Sequence, residues 1–300
     1  MLKNIAKNFS IYSFVYLIPG LGLLFISSFL EPTDQGIIGL VEGLKRFYLI
    51  IATLQLSSSA VLRMYPEYKD PLEKKKFVGT VFIFVSLLNL ATLLLFLVIF
   101  GNFTTNIFDS EEISFYPYVL IGIFTFFLEI FFNFLVSILV MKQKAKTVFI
   151  LTIIRFTIFT ILAIIFIIVL KMGATGFLLA DLISRGVVLP IIIYLLSKES
   201  MFYFDKDKLK KALLYSLPFI PAVLSNAVFT FSDRYIIDIF LNIEKVGIYT
   251  YAQRYTMPLM ILLTTLDRAY LPIYIEYKDK SGEKEYLRKT VYNIIFLLGL

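Results

Sequence analysis

The segment FSDRYIID, residues 231–238, sets Asp233, Arg234 and Asp238 in a stretch otherwise apolar enough to cross a bilayer. A charge near the bilayer centre costs roughly 2.5–3.5 kcal/mol on insertion scales, so retained charges pair, snorkel or line a wet cavity. Arg234 and Asp238 share a helical face in the poorer basic-first order, and Asp233 has no cation on its own face. Asp233 therefore needs a partner on another helix, or water. Glu42 lies three residues before Lys45 and four before Arg46, and Asp181 four before Arg185. That acid-first order allows each group to neutralise itself along one helix. Glu129 stands in an apolar run with Asn133 as the polar neighbour on its face. An unpaired carboxylate there can exchange a proton, which makes Glu129, beside Asp233, the candidate for ion coupling; a protonated, hydrogen-bonded structural glutamate fits the same pattern. Arg155, Asp267 and Arg268 are read as snorkelling toward a nearer interface.

An internal repeat ties two of the arginines together. FLEPTDQGIIGL at 29–40 is echoed by FLNIEKVGIYTY at 240–251, with Gly36 matching Gly247, and EYKD at 67–70 recurs at 276–279. Six spans separate the copies, so both enter the membrane from the same side, related by an axis along its normal. Arg46 follows Gly36 by ten residues and Arg254 follows Gly247 by seven. Facing each other across that axis, the two would make a cationic cavity suited to phosphate, whose oxygens accept two hydrogen bonds from each planar guanidinium. Structural salt bridges with Glu42 or Asp233 are the competing reading. Prolines interrupt LIPGLG at 17–22 and SLPFIP at 216–221, in the first span of each copy; such breaks line pathways in transporters.

The elements that must position these groups are membrane helices. Of 300 residues, 59% are hydrophobic and 17% charged, with a mean hydropathy of +0.83, far from the balance of soluble domains. Apolar runs at about 9–30, 37–64, 77–100, 114–141, 147–170, 174–197, 213–241 and 247–275 are long enough to span, and a ninth begins near 291. They do not alternate polar and apolar residues, so the fold class is an all-α polytopic bundle rather than a barrel. Cysteine and histidine are absent, which removes thiolate and imidazole metal sites and most catalytic constellations; no catalytic residue, metal or cofactor is expected. Twenty Lys and Arg residues fall in the loops on one side, against Lys171 and Lys245 on the other. The N-terminus is therefore expected in the cytoplasm, and the basic excess is expected to meet anionic lipid headgroups rather than nucleic acid.

SLPFIP followed by FSDRYIIDIFLNIEKVGIYTYAQRYT resembles the seventh and eighth helices of the polysaccharide-biosynthesis flippases, in the multidrug/oligosaccharidyl-lipid/polysaccharide exporter superfamily. The likeness runs through Asp233, Arg234, Ile236, Phe240, Leu241, Gly247, Tyr249 and Arg254. It implies two lobes of parallel-repeat type: residues 1–200 as a six-helix lobe, 201–212 as a cytoplasmic connector, and 213–300 as part of a second, truncated lobe. It further implies a multi-pass protein of the cell membrane that moves an isoprenoid-pyrophosphate-linked oligosaccharide across it by alternating access. Arg46, Arg254, Arg234 and Arg185 would hold the phosphates, with a proton or sodium ion coupled through Glu129 or Asp233. A cation-coupled multidrug or metabolite exporter of the same fold is the alternative. A membrane glycosyltransferase using DSEE at 109–112 is more distant, since such enzymes use extended outer loops.

Overall fold

The computed structural model describes Phe14, residues 17–107 and residues 113–256, apart from the side chains of 103–107. The DSEE stretch at 109–112, Pro258, Asp267, Arg268, the second EYKD and the ninth span lie outside these. Every regular element among the described residues is helical. In chain order they are α1 (Leu17–Ser27), α2 (Pro32–Thr53), α3 (Val61–Met64), α4 (Pro71–Ile107), α5 (Leu120–Met141), α6 (Ala145–Ala163), α7 (Gly173–Glu199), α8 (Lys206–Ser216), α9 (Ile220–Phe240) and α10 (Ile243–Arg254). Among the described residues, five stretches are long and apolar enough to cross a membrane: Pro71–Asn102, Phe115–Met141, Ala145–Val169, Gly173–Glu199 and Lys206–Phe240. With α1 and α2 these follow the alternation expected from hydropathy. α2 itself carries Glu42, Lys45 and Arg46 within a few turns, and only the first part of the expected eighth span is described.

Local chemistry sets the breaks. Pro32 opens α2, where its missing N–H is no loss. The stretch 37–64, read as one span, is interrupted: Leu54 and Gln55 adopt left-handed φ of 46° and 58°, and the chain resumes as a π-helical turn at Leu56–Ala60 before α3. The expected span 213–241 begins earlier, as α8, and passes through a 3-10 turn at Leu217–Phe219 where Pro218 interrupts the helical ladder. Asp205 caps α8 by accepting hydrogen bonds from the backbone N–H groups of Asp207 and Lys208 at 2.9 and 3.1 Å.

The core centres on α5. Its Ile123, Phe126, Ile130, Phe134, Leu135 and Ile138 are buried and pack with Phe77, Val81 and Val85 of α4 and Phe177, Val188 and Ile192 of α7 in one cluster. Buried polar groups tie the helices where lipid could not satisfy them. Tyr48 Oη of α2 donates to Asn89 Oδ1 of α4 at 2.8 Å, and Asn89 Nδ2 donates to the Phe127 carbonyl of α5 at 3.1 Å.

The two repeat copies pack against each other. A Cβ on Gly36 would strike the Ile243 carbonyl, and one on Gly247 would strike the Pro32 carbonyl. Adding 211 to 36 and 32 gives 247 and 243, so the two approaches are one contact repeated by a pseudo-twofold, as in a self-complementary interface. Close passage of glycines is the usual way for membrane helices to gain van der Waals contact. Gly39 of α2 continues the seam against Thr250 of α10.

Candidate functional site

A cavity of about 290 Å³ opens among α1, α2, α5, α6 and α7. Its polar lining is Glu42 and Lys45 of α2, Glu129 and Asn133 of α5, Thr152 and Arg155 of α6, and Asp181 and Arg185 of α7. Arg185 is held by the carboxylate one turn before it: Nε to Asp181 Oδ1 and Nη2 to Asp181 Oδ2, both 3.0 Å. This fork is the geometry in which an arginine–carboxylate pair is strongest. Arg155 Nη1 reaches the same Asp181 at 3.8 Å. The expectation of an unpaired Glu129 is corrected: Lys45 Nζ and Arg185 Nη1 each stand 3.5 Å from Oε2. Both partners come from other helices, which spacing along α5 could not reveal. Phe132, Phe156, Phe159 and Phe177, with Pro19, Leu23, Val136 and Val148, complete the wall, so three cations and three carboxylates share a chamber whose remaining surface is mostly apolar. Arg155, read from sequence as a snorkelling residue, faces into this chamber instead. It follows Ala145, the first residue of α6, by ten positions, and that depth was the signal that it lay too far in to snorkel.

A second cavity, of about 300 Å³, lies between α2 and α9 and is lined by Gly39, Leu40, Gly43, Leu44, Phe47, Val228, Phe231, Ser232, Arg234 and Tyr235. Its walls are mostly apolar. The Arg46 and Arg234 guanidiniums lie 5.8 and 5.2 Å from the centre of the Phe231 ring, within cation–π range. Arg234 also donates to the Gly39 carbonyl at 2.9 Å and to Gln253 Oε1 at 2.8 Å, and Arg46 is exposed.

Arg46 and Arg254 do not face each other across a shared chamber. Arg254 is buried at 3% exposure, donates to Ser27 Oγ and, at 3.5 Å, to Gln35 Oε1, and lies over the Phe177 ring. The reason is the glycine seam: because α10 lies directly on α2, Arg254 emerges toward α1, while Arg46 emerges toward α9. The structure thus gathers Arg46 with Arg234 and Arg185 with Glu129, and sets Arg254 apart from both pairs. Asp233 has its partner on another helix, accepting a hydrogen bond from Tyr249 Oη of α10 at 2.6 Å.

These features describe an all-helical, multi-pass membrane protein built around an internal repeat, with charge held inside its helices. The multidrug transporter of MATE type DinF-BH, solved as a complex, superposes on 98% of this chain and 68% of its own at a TM-score of 0.70 and 17% identity. A MATE structure in complex with MaD3S covers 98% of this chain and 70% of its own at 0.65 and 20%, and another with Br-NRF covers 89% and 65% at 0.56 and 22%. The fold is theirs. No curated protein sequence matches significantly. The sequence pattern of the polysaccharide biosynthesis protein family matches residues 1–278, and the chain belongs to that family.

Proposed function

We propose that this chain belongs to a transporter that moves an isoprenoid-pyrophosphate-linked oligosaccharide across the cell membrane, N-terminus cytoplasmic, by alternating access of two lobes. One observation carries the reading: the α2–α9 cavity joins an apolar wall to the Arg234 guanidinium, and exposed Arg46 stands outside that lining at the same Phe231 ring. That combination complements an amphiphilic anion. The isoprenoid would lie along Leu40, Leu44, Phe47 and Val228, and the phosphates would displace the guanidiniums from the Phe231 ring. An exporter of organic cations would gain nothing from two arginines there. Membership in a polysaccharide biosynthesis family supports the same substrate class.

Coupling to a proton or sodium ion is assigned to the first cavity. Glu129 Oε2 is buried without a hydrogen bond, between Lys45 and Arg185. Neutralising it would free Lys45 while Asp181 keeps Arg185 in place. Asp233, exposed and bound by Tyr249, is the second coupling carboxylate. Arg254 serves as a brace between α10 and α1 in this conformation.

The test is flipping of lipid-linked oligosaccharide in vesicles by the complete protein. Arg46→Ala and Arg234→Ala should each abolish it with membrane insertion intact, and Arg46→Lys, which keeps charge without the fork, should leave partial activity. Wild-type flipping by both alanine variants, or organic-cation efflux in place of flipping, would overturn the assignment.

A further inference from the structure

The segment Ser200–Asp205 joins α7 to α8, and its side chains have no place in either cavity. Phe202 is 95% exposed, Phe204 45% and Met201 43%. Such exposure of neighbouring large apolar side chains marks a surface that something covers. Around them stand exposed lysines: Lys75 on α4, and Lys206, Lys210 and Lys211 on α8. The depth of the segment is fixed by its neighbours. Glu199 ends a membrane helix of 27 residues, longer than the ~20 residues that cross the hydrocarbon, so Phe202 lies at the level of the headgroups. Apolar tips beside a ring of cations, at that depth, match an anionic lipid surface in both chemistry and position.

The segment is also tied down. Met201 N–H donates to the Lys75 carbonyl at 3.1 Å, Thr80 Oγ1 donates to the Tyr203 carbonyl at 3.2 Å, and Asp205 N–H donates to Thr80 Oγ1 at 3.1 Å. Gly79 leaves the room for this approach, since a Cβ there would strike the Met201 carbonyl. Lys208 reaches back to Glu73 at 2.5 Å. Whatever holds Phe202 and Phe204 therefore also bears on the start of α4 and, through α8, on α9.

We propose that residues 201–211 form an interfacial wedge that binds anionic lipid headgroups of the adjoining leaflet, with Phe202, Phe204 and Met201 inserted among the acyl carbonyls and Lys206, Lys210 and Lys211 on the phosphates. The proposal does not depend on what the protein transports.

The chain has no tryptophan, so Phe202→Trp in the full chain supplies a single indole, excited selectively at wavelengths the tyrosines do not absorb, at an almost fully exposed position. Reconstituted in phosphatidylcholine vesicles containing phosphatidylglycerol, its emission should be blue-shifted, quenched by lipids brominated on the acyl chain and shielded from aqueous acrylamide. In phosphatidylcholine alone the shielding should weaken. Lys206→Gln, Lys210→Gln and Lys211→Gln should each lower the preference for the anionic lipid about fivefold and together remove it. Red-shifted emission open to acrylamide in both lipid mixtures overturns the wedge, as does shielding that appears only when a soluble protein is added. Equal shielding in both mixtures, unchanged by the lysine substitutions, overturns the anionic specificity.

Discussion

Replacing Gly247 by alanine tests the link between the repeat seam and conformational change. The new Cβ would collide with the Pro32 carbonyl oxygen and would also sit 2.6 Å from its carbon and 3.0 Å from the backbone nitrogen of Gly36, where ordinary contact begins at 3.4 Å. The obstacles are backbone atoms, so no rotamer relieves them and α10 must move away from α2. Overpacking of this kind costs about 1–3 kcal/mol. If transport requires this seam to part, the penalty falls on the seam-closed state alone, and the parted state gains about 5–150-fold in population. Thr250, 1% exposed against Gly39, reports on the seam. The chain contains no cysteine, so Thr250→Cys gives one thiol whose labelling by a membrane-impermeant maleimide measures opening. Labelling should accelerate at least fivefold when Gly247→Ala is added, and Gly36→Ala should act alike because the two glycines make the same contact. Unchanged labelling in either well-folded variant would refute the role of the seam as a gate.

Other expectations follow from the polar groups. Glu129→Gln should leave the protein folded while flipping loses its dependence on a pH or sodium gradient, read in vesicles with and without the gradient. Asp181→Asn removes the forked partner of Arg185 and the nearest carboxylate of Arg155; breaking such a buried set costs about 3–5 kcal/mol, which a thermal melt in detergent should register as the largest loss among these variants. Tyr48→Phe takes the donor from buried Asn89 Oδ1, costing about 1–3 kcal/mol in the same melt. Asp205→Ala should cost about 1 kcal/mol by uncapping α8. The Lys208 backbone N–H holds the Asp205 carboxyl below its ordinary range. A depressed folded-state value means that this stabilisation is complete above the unfolded aspartate range and is lost as pH falls through the folded value, so hydrogen-exchange protection at the start of α8, taken relative to the intrinsic rate at each pH, should fall only in acid.

The helical fold class and the order of the described spans were legible because crossing lipid demands long apolar runs. The relation of Gly36 to Gly247 was legible as a repeat; that the two helices touch there was not, since a repeat states equivalence without stating contact. Pairing along one helix was readable for Asp181 and Arg185, whose spacing alone brings them together. Partners on different helices were hidden: Lys45 and Arg185 come to Glu129, and Tyr249 to Asp233, through packing that no spacing encodes. Arg254 shows the limit from the other side. It matches Arg46 roughly in the repeat, yet three residues of difference in distance from the glycine turn a helical side chain through most of a revolution.

Leu54 and Gln55 hold left-handed backbone without being glycine, a conformation that costs about 1–2 kcal/mol per residue. This elbow divides the second span into two rods. The longer carries Gly36, Lys45 and Arg46; the shorter carries Arg63 toward the next loop. Tilting of the first rod can thus be absorbed at two peptide units, leaving the second rod moored, and exchanging either residue for glycine would loosen the joint without touching any charge.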